Sequence, residues 1–295
     1  ALRYIKGRSF PKVIKADGLA LGKGVVIAEN FEEARLAVHS MMAEGAFGES
    51  GKRVVVEEFL EGPEVTVLAF ADGNTVRPML SSMDHKRAFD GDQGPNTGGM
   101  GVVAPNPFYT EEIADRAMRE VFLPTLEAMQ KEGRPFKGCL YFGLMLTKDG
   151  PKVIEYNARF GDPEAQAVLS LLESDLLDIL IAVEDERLAE ADIRFQGGAS
   201  CVVVVASGGY PGSYKKGLPI DLGGADREAK IFHSGTSVTD GALTTNGGRV
   251  LGVTAVADGL KTAVERAERA ASKVHFDGCF FRRDIGRRAL EREGV

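Results

Sequence analysis

The stretch VIKADGLALGKGVVIA, residues 13–28, decides the fold. A glycine-rich loop bearing a lysine invites comparison with a nucleotide-binding P-loop, which needs four residues between its glycines and a Ser or Thr after the lysine. Here three residues separate Gly18 from Gly22, and Gly24 follows Lys23. A dinucleotide-binding fingerprint would place a third glycine at the start of a helix, but Val25 to Ala28 has the pattern of a strand. What remains is a hairpin, with KVIKA running out, VVIA running back and a glycine-rich tip between them. Backbone N–H groups of that tip, with Lys23, suit folding over a polyphosphate, and Lys15 projects from the strand beneath. An ordinary solvated hairpin fits the same residues.

Working outward, Asn30 with Glu33 forms a capping box for a helix FEEARLAVHSMMAEG, on which Phe31, Ala34, Val38, Met41 and Met42 share a face. RVVVEEFL is a strand, and EVTVLAFADGNTVRPML is a hairpin turned at Asp72-Gly73. Residues 84–107 form a Gly/Pro/Asn-rich loop, too long for a passive connection and so expected to be functional. Thr110 caps a helix to about Glu132, interrupted or kinked at Pro124. CLYFGLMLTKDGPKVIEYN is another hairpin, turned at Asp149-Gly150, and PEAQAVLSLLESDLLDILIAVED is helical with Pro163 in its first turn. Near residue 195 the texture changes to short strands and glycine turns, followed by a helix LKTAVERAERAASKV and a short basic helix near IGRRALERE. A domain boundary is expected between residues 187 and 197.

The 295 residues suffice for one large or two ordinary domains with a substantial core. A formal net charge of −7 argues against a polyanion-binding surface, so no nucleic-acid partner is expected. Cys139, Cys201 and Cys279 are odd in number and widely spaced, which fits buried thiols in a reducing compartment. The longest apolar run, CVVVVA, is far shorter than the roughly 20 residues of a membrane-spanning helix, so no membrane partner is expected. The chain opens without Met or a signal-peptide core, and its true start is expected elsewhere.

Two further motifs carry chemistry. In VVVEEFLEGPEV a strand runs into Glu57 and Glu58, then Phe59, Leu60 and a Gly62-Pro63 turn. Backbone groups at Glu58 and Leu60 suit the edge of a purine and Glu64 suits ribose hydroxyls, while a surface acidic turn fits equally. In VIEYNARFGDPE, Glu155 and Asn157 stand two apart on a strand and leave the same face, a spacing suited to one magnesium ion. Arg159 shares that parity. An apolar strand bears Glu, Asn and Arg on one face only with charges to satisfy them, and a Glu155–Arg159 salt bridge is the plainer alternative.

The order of these parts, phosphate-covering lysines, a purine-type hinge and a metal pair on antiparallel hairpins, resembles the ATP-grasp superfamily. VIKADGLALGKGV, EEFLEGPE, DHKRAFDGDQGPNTGGMG, RFGDPEAQ, GGYPGSY and NGGRVLGVTA together resemble one family within it, glycinamide ribonucleotide synthetase, from about residue 11 to the C-terminus. The resemblance implies an α+β ATP-grasp fold of two lobes, residues 1–62 covering the nucleotide and 63–190 carrying metal and substrates. A small mixed α/β domain, 196–295, follows. It implies a cytoplasmic, ATP-dependent ligase of purine synthesis that joins glycine to 5-phosphoribosylamine through glycyl phosphate.

Residue by residue, the resemblance places Lys15 on the α/β phosphates and Asp17, Gly18, Gly22, Lys23 and Gly24 in the closing loop, with Lys23 in a catalytic role. Glu57, Glu58, Phe59 and Leu60 meet adenine, and Glu64 the ribose. Glu155 and Asn157 hold Mg2+ or Mn2+, and Arg159 stabilises charge on the transferring phosphoryl group. Asp84, Lys86, Arg87, Pro95, Asn96, Thr97, Gly98 and Gly99 face the other substrates, the two glycines letting backbone N–H groups approach a phosphate. For DHKR a solvated charge run is the alternative. Asp162 either caps the helix starting at Pro163 or meets substrate, and Glu164 either favours the helix dipole or meets substrate. Two departures stand out. Gly143 occupies the position where some ATP-grasp enzymes carry a further metal carboxylate, and the family's N-terminal domain has no counterpart here. A nucleotide-binding fragment of a split or multifunctional ligase, inactive alone, is the second expectation.

Overall fold

The computed structural model describes residues 1–20 and 24–294, so Gly22 and Lys23 lie outside the described residues. The chain divides into two compact units, Ala1–Glu61 and Gly62–Val295. In the first, helix α1 (Leu2–Ile5) precedes β1 (Lys12–Ala16), β2 (Val25–Ala28), α2 (Phe31–Met42) and β3 (Val54–Glu58). The strands form an antiparallel sheet in the order β2-β1-β3. Ala34, Ala37, Val38 and Met41 of α2 pack with Ile14 and Ala28. The N-cap is as expected: Asn30 Oδ1 accepts from the Glu33 N–H at 3.0 Å. Phe31 and Met42, expected on the buried face, are exposed. They are the first and last residues of α2, where each has a neighbouring helical turn on one side only.

The second unit opens with β4 (Glu64–Asp72), β5 (Val76–Asp84), β6 (Arg87–Phe89), β7 (Gln93–Asn96) and β8 (Gly101–Ala104). Helices α3 (Glu111–Ala117) and α4 (Leu123–Lys131), strands β9 (Lys137–Thr147) and β10 (Gly150–Asn157), and helices α5 (Glu164–Val168) and α6 (Leu176–Glu184) follow. The remainder is β11 (Ala199–Ala206), β12 (Lys230–His233), β13 (Thr236–Thr239), β14 (Ala242–Thr245), β15 (Arg249–Ala257), α7 (Leu260–Ala271) and α8 (Arg287–Glu293). Eight of these strands make one antiparallel sheet, in the order β10-β9-β4-β5-β8-β11-β15-β12. Ser200 to Val203 of β11 pair with Gly101 to Ala104 of β8, so the sheet runs across residues 190–196, where a domain junction was expected. Helices cover both faces. Val67, Leu140, Phe142 and Leu144 meet Phe122 and Leu126 beside α3 and α4, Val203 and Val253 meet Ala263 and Ala267 of α7, and Phe70, Val102 and Val202 meet α5 and α6. Burial on both sides explains why β11 is an unbroken apolar run rather than an alternating one.

Three expectations need correction. The loop 84–107 holds three strands: β6 and β7 form a short ribbon, and β8 sits inside the large sheet between β5 and β11. The interruption expected at Pro124 lies one turn earlier, in a π-helical turn Met118–Phe122, and Pro124 occupies the first turn of α4, where its missing N–H costs nothing. The helix expected over 163–185 breaks into α5, a 3₁₀ turn and α6. Glu173 donates its N–H to the Arg194 carbonyl and Ser174 Oγ donates to the Asp192 carbonyl, which draws the chain out of the helix, and Asp175 then caps α6. Among the thiols, Cys139 and Cys201 are buried, and burial pushes the Cys139 thiol up to about 12.

Phe142 is fully buried with its ring centroid 4.3 Å from that of Phe122. Phe142→Ala is expected to destabilise the protein by about 3–5 kcal/mol, read from urea denaturation midpoints. A loss under about 1 kcal/mol would show that α3 and α4 collapse onto the sheet without it.

Candidate active site

In the second unit the start of β4, the end of β5, the middle of β9 and the end of β10 converge on one small cavity. Glu64, Thr66, Asp84, Lys86, Tyr141 and Glu155 line it. Lys86 is its cation, with Nζ 3.3 Å from Glu64 Oε2 and 4.0 Å from Glu155 Oε1. Burial works against the ammonium charge, but the carboxylates of Glu64, Glu155 and Asp84 outweigh it and hold Lys86 above its ordinary value. Lys86 is thus the hub of an acidic cluster rather than part of a solvated charge run. Arg87 points elsewhere, donating from Nη1 to the Gly94 carbonyl at 2.8 Å on the β6–β7 ribbon.

Burial raises the Asp84 carboxyl well above its usual range, and Glu164 adds to the rise. Glu164, itself 3 % exposed, is raised by burial too, against its own backbone N–H, the Tyr141 hydroxyl, Lys86 and Arg159. Two acids sharing a poorly hydrated site favour the protonated form of the pair. Neighbouring glycines make the room. A Cβ on Gly161 would lie 2.4 Å from Glu164 Oε2, and one on Gly99, whose φ is +113°, would lie 2.6 Å from Asp84 Oδ1. Tyr141 Oη and Thr66 Oγ1 share a 2.9 Å hydrogen bond beside them.

Glu155 and Asn157 lie on β10 opposite Gly143 and Tyr141 of β9, beyond a bulge between Val153 and Glu155. They leave the strand on one side, as their spacing requires. Arg159 donates to the Phe160 carbonyl at 2.7 Å, and the cation near Glu155 is Lys86, so the Glu155–Arg159 salt bridge weighed above is not formed. Glu155 and Asn157 offer two hard oxygens with solvent access, a donor set that fits Mg2+ or Mn2+ when phosphate and water complete the shell. Among the described residues no group of three or more His, Cys, Asp or Glu side chains is arranged to hold a metal. A Cβ on Gly143 would lie 3.0 Å from Glu155 Cγ, so a larger residue there would crowd this donor.

The segment GPNTGG departs from its expectation. The Gly98 N–H donates to Tyr210 Oη at 3.1 Å and the Gly99 N–H to Thr97 Oγ1 at 2.9 Å, so neither is held open toward a phosphate. Thr97 closes the turn by donating to the Lys86 carbonyl, while Pro95 and Asn96 are exposed on β7. Asp162 is not a cap. The first helical residue is Glu164 without a side-chain cap, and the Asp162 carboxylate accepts from Arg249 at 3.1 Å and Gln166 at 3.3 Å. Sequence reasoning also missed His85. It is buried, accepts at Nε2 from the Gly286 N–H and faces the Gly101 carbonyl with Nδ1, and burial lowers it to about 4, so it is neutral. Its only sequence signal was its place within DHKR.

In the first unit, Lys15 Nζ is 2.6 Å from Glu57 Oε2 across the β1–β3 pair. Asp17 pairs with Arg53 at 2.7 Å, and the Gly18 N–H donates to the Ser50 carbonyl. Gly24 accepts from the Ala16 N–H at 2.8 Å, closing the base of the hairpin. Glu58 ends β3, and Phe59 and Leu60 follow it half-buried. Gly62 begins the second unit, where a Cβ would lie 2.0 Å from the Leu146 carbonyl oxygen.

The chain matches the phosphoribosylglycinamide synthetase ATP-grasp (A) domain over residues 1–165 and the C domain of the same synthetase over 200–288. It is 49% identical over 300 residues to a phosphoribosylamine–glycine ligase of Vibrio parahaemolyticus, covering 99% of this chain and 69% of that protein. It is also 49% identical over 294 residues to the trifunctional purine biosynthetic protein adenosine-3 of Gallus gallus, covering 98% of this chain and 29% of that one. Among solved structures, the phosphoribosylamine–glycine ligase of Thermotoga maritima superposes with a TM-score of 0.86 at 38% identity, over 96% of this chain and 71% of the other.

Proposed function

This chain belongs to the phosphoribosylglycinamide synthetase family, and from that premise we propose that it joins glycine to 5-phosphoribosylamine with cleavage of ATP, giving glycinamide ribonucleotide, ADP and phosphate. The observation that carries the reading is the gathering of the Glu64, Glu155, Asp84 and Glu164 carboxylates around Lys86. A ligase of this kind needs cations beside a phosphate and acids beside an amine, in one site shielded from water.

In this reading Lys15, Asp17, Gly18, Gly22 and Gly24 serve the triphosphate, with Lys23 closing over it. Glu57, Glu58, Phe59 and Leu60 meet adenine and Glu64 the ribose. Glu155 and Asn157 would hold Mg2+ or Mn2+, which supplies charge neutralisation at the phosphates. The γ-phosphoryl group passes to an oxygen of the glycine carboxylate as the bond to ADP breaks, and Arg159 stabilises the charge in transit. The amine of phosphoribosylamine then attacks the glycyl carbonyl carbon, phosphate leaves, and the nitrogen gives up a proton. Asp84 and Glu164 bind the amine groups of the substrates, and Lys86 an anionic group of theirs. In this reading the reaction runs in the cytoplasm. No helix among the described residues is long and apolar enough to cross a membrane.

The test is an assay of the full-length protein with ATP, glycine and freshly made phosphoribosylamine. Equimolar ADP and phosphate release that requires both substrates, with glycinamide ribonucleotide identified by mass, is the expected result. ATP cleavage indifferent to glycine, or driven by bicarbonate instead, would overturn the assignment.

A further inference from the structure

Two segments far apart in sequence, 94–101 and 159–164, are fastened to each other by one side chain that neither contains. Arg249 opens β15 and keeps 19% of its side chain exposed. Its Nη1 donates to the carbonyls of Gly98 at 2.8 Å, Gly99 at 3.4 Å and Asp162 at 2.7 Å, and its Nη2 to Asp162 Oδ2 at 3.1 Å. Neighbouring glycines fit this arrangement. A Cβ on Gly98 would lie 2.8 Å from Arg249 Cζ, and one on Gly248 would lie 2.2 Å from the ring of Tyr210, whose hydroxyl accepts from Gly98.

We infer that Arg249 is a positioning residue, setting the spacing between the Asp84/Gly99 side of the site and the Asp162/Glu164 side through its guanidinium fork. The inference rests on the ligase reading for its kinetic consequences. Gly99 packs against the Asp84 carboxylate and Pro163, and Glu164 is the next residue, so the atoms Arg249 holds are one step from the two buried acids. A planar guanidinium can donate to several carbonyl oxygens and a carboxylate at once, whereas a lysine offers a compact charge that cannot span them. Without the fork, the Asp162 carboxylate loses its cation and the Gly98 and Gly99 carbonyls lose their shared donor.

The test compares wild type with Arg249→Gln, Arg249→Lys and Tyr210→Phe in the full-length protein. Expected for Arg249→Gln is a fall in kcat of about 100-fold, the scale of a misplacement near 1 Å, with the KM for ATP within about twofold of wild type. Arg249→Lys is expected to restore little, and Tyr210→Phe to lose less than either. Amide hydrogen exchange in the Gln variant should quicken in 94–101 and 159–164 and stay unchanged in β11, β12 and β15. Normal kcat in Arg249→Gln, or faster exchange spread over the whole sheet with weakened ATP binding, would overturn the inference in favour of no role or a purely structural one. If wild type makes no glycinamide ribonucleotide, the ligase reading fails, while localised exchange still decides whether Arg249 fastens the two segments.

Discussion

Glu155→Ala is expected to reduce ATP turnover by at least about 10³-fold while the melting temperature stays within about 2 °C of wild type. Glu155 stands near the exposed end of β10, where it packs little apolar surface, and the Lys86 contact it would forfeit is 4.0 Å long. Such a contact contributes about 1 kcal/mol or less to stability. Losing a carboxylate donor from a metal that neutralises phosphate charge removes several kcal/mol of transition-state stabilisation, and about 4 kcal/mol is a thousandfold in rate. Asn157 alone supplies one neutral oxygen, too little to hold a divalent ion against water. Measuring kcat and melting temperature together separates the two effects, since a variant that merely unfolds loses both. Near-normal turnover would remove Glu155 from the metal site.

Much of the architecture is written in local signals. Asp72-Gly73 and Asp149-Gly150 mark hairpins that the structure contains, and Asn30 and Thr110 cap the helices they precede. The alternation of Glu155 and Asn157 was legible because strand parity alone puts both on one side of β10. Long-range pairing was not. Strand β8 hides in a glycine-rich segment because its partner β11 lies far along the chain, and four residues carry no periodicity worth counting. Arg249 escaped for another reason: three of its acceptors are backbone carbonyls, which leave no mark on the sequence. Gly98 and Gly99 misled in the opposite direction. Their lack of side chains suggested access for a phosphate, whereas the space they leave is taken by the Arg249 guanidinium and the Asp84 carboxylate.

Arg282→Met is expected to destabilise the protein by about 3–5 kcal/mol at neutral pH, because it strands buried charge instead of merely deleting a contact. Arg282 is 2 % exposed and donates from Nε and Nη2 to the two carboxylate oxygens of Asp284 at 2.8 and 2.9 Å. It also donates from Nη1 to the Arg87 carbonyl at 3.0 Å and pairs with Asp92 at 2.9 Å, so one side chain ties residues 282–284 to the β6–β7 ribbon. Burial works against the Asp284 charge, yet the bonds from Arg282 and from the Gly91 N–H prevail and lower its carboxyl from 3.8 to about 2. A folded-state value below the ordinary one means that the stabilisation is present above about pH 4 and is lost as pH falls toward 2. That window is worth about 2 kcal/mol for the Asp284 share. In Arg282→Met the sign reverses: Asp284 remains buried without its cation, so protonation relieves it. The deficit of the variant should therefore shrink between pH 7 and pH 3, measured as the difference in urea midpoints at each. A deficit under about 1 kcal/mol, or one indifferent to pH across that range, would mean that water reaches Asp284 once the arginine is gone and that the ribbon is held by other contacts.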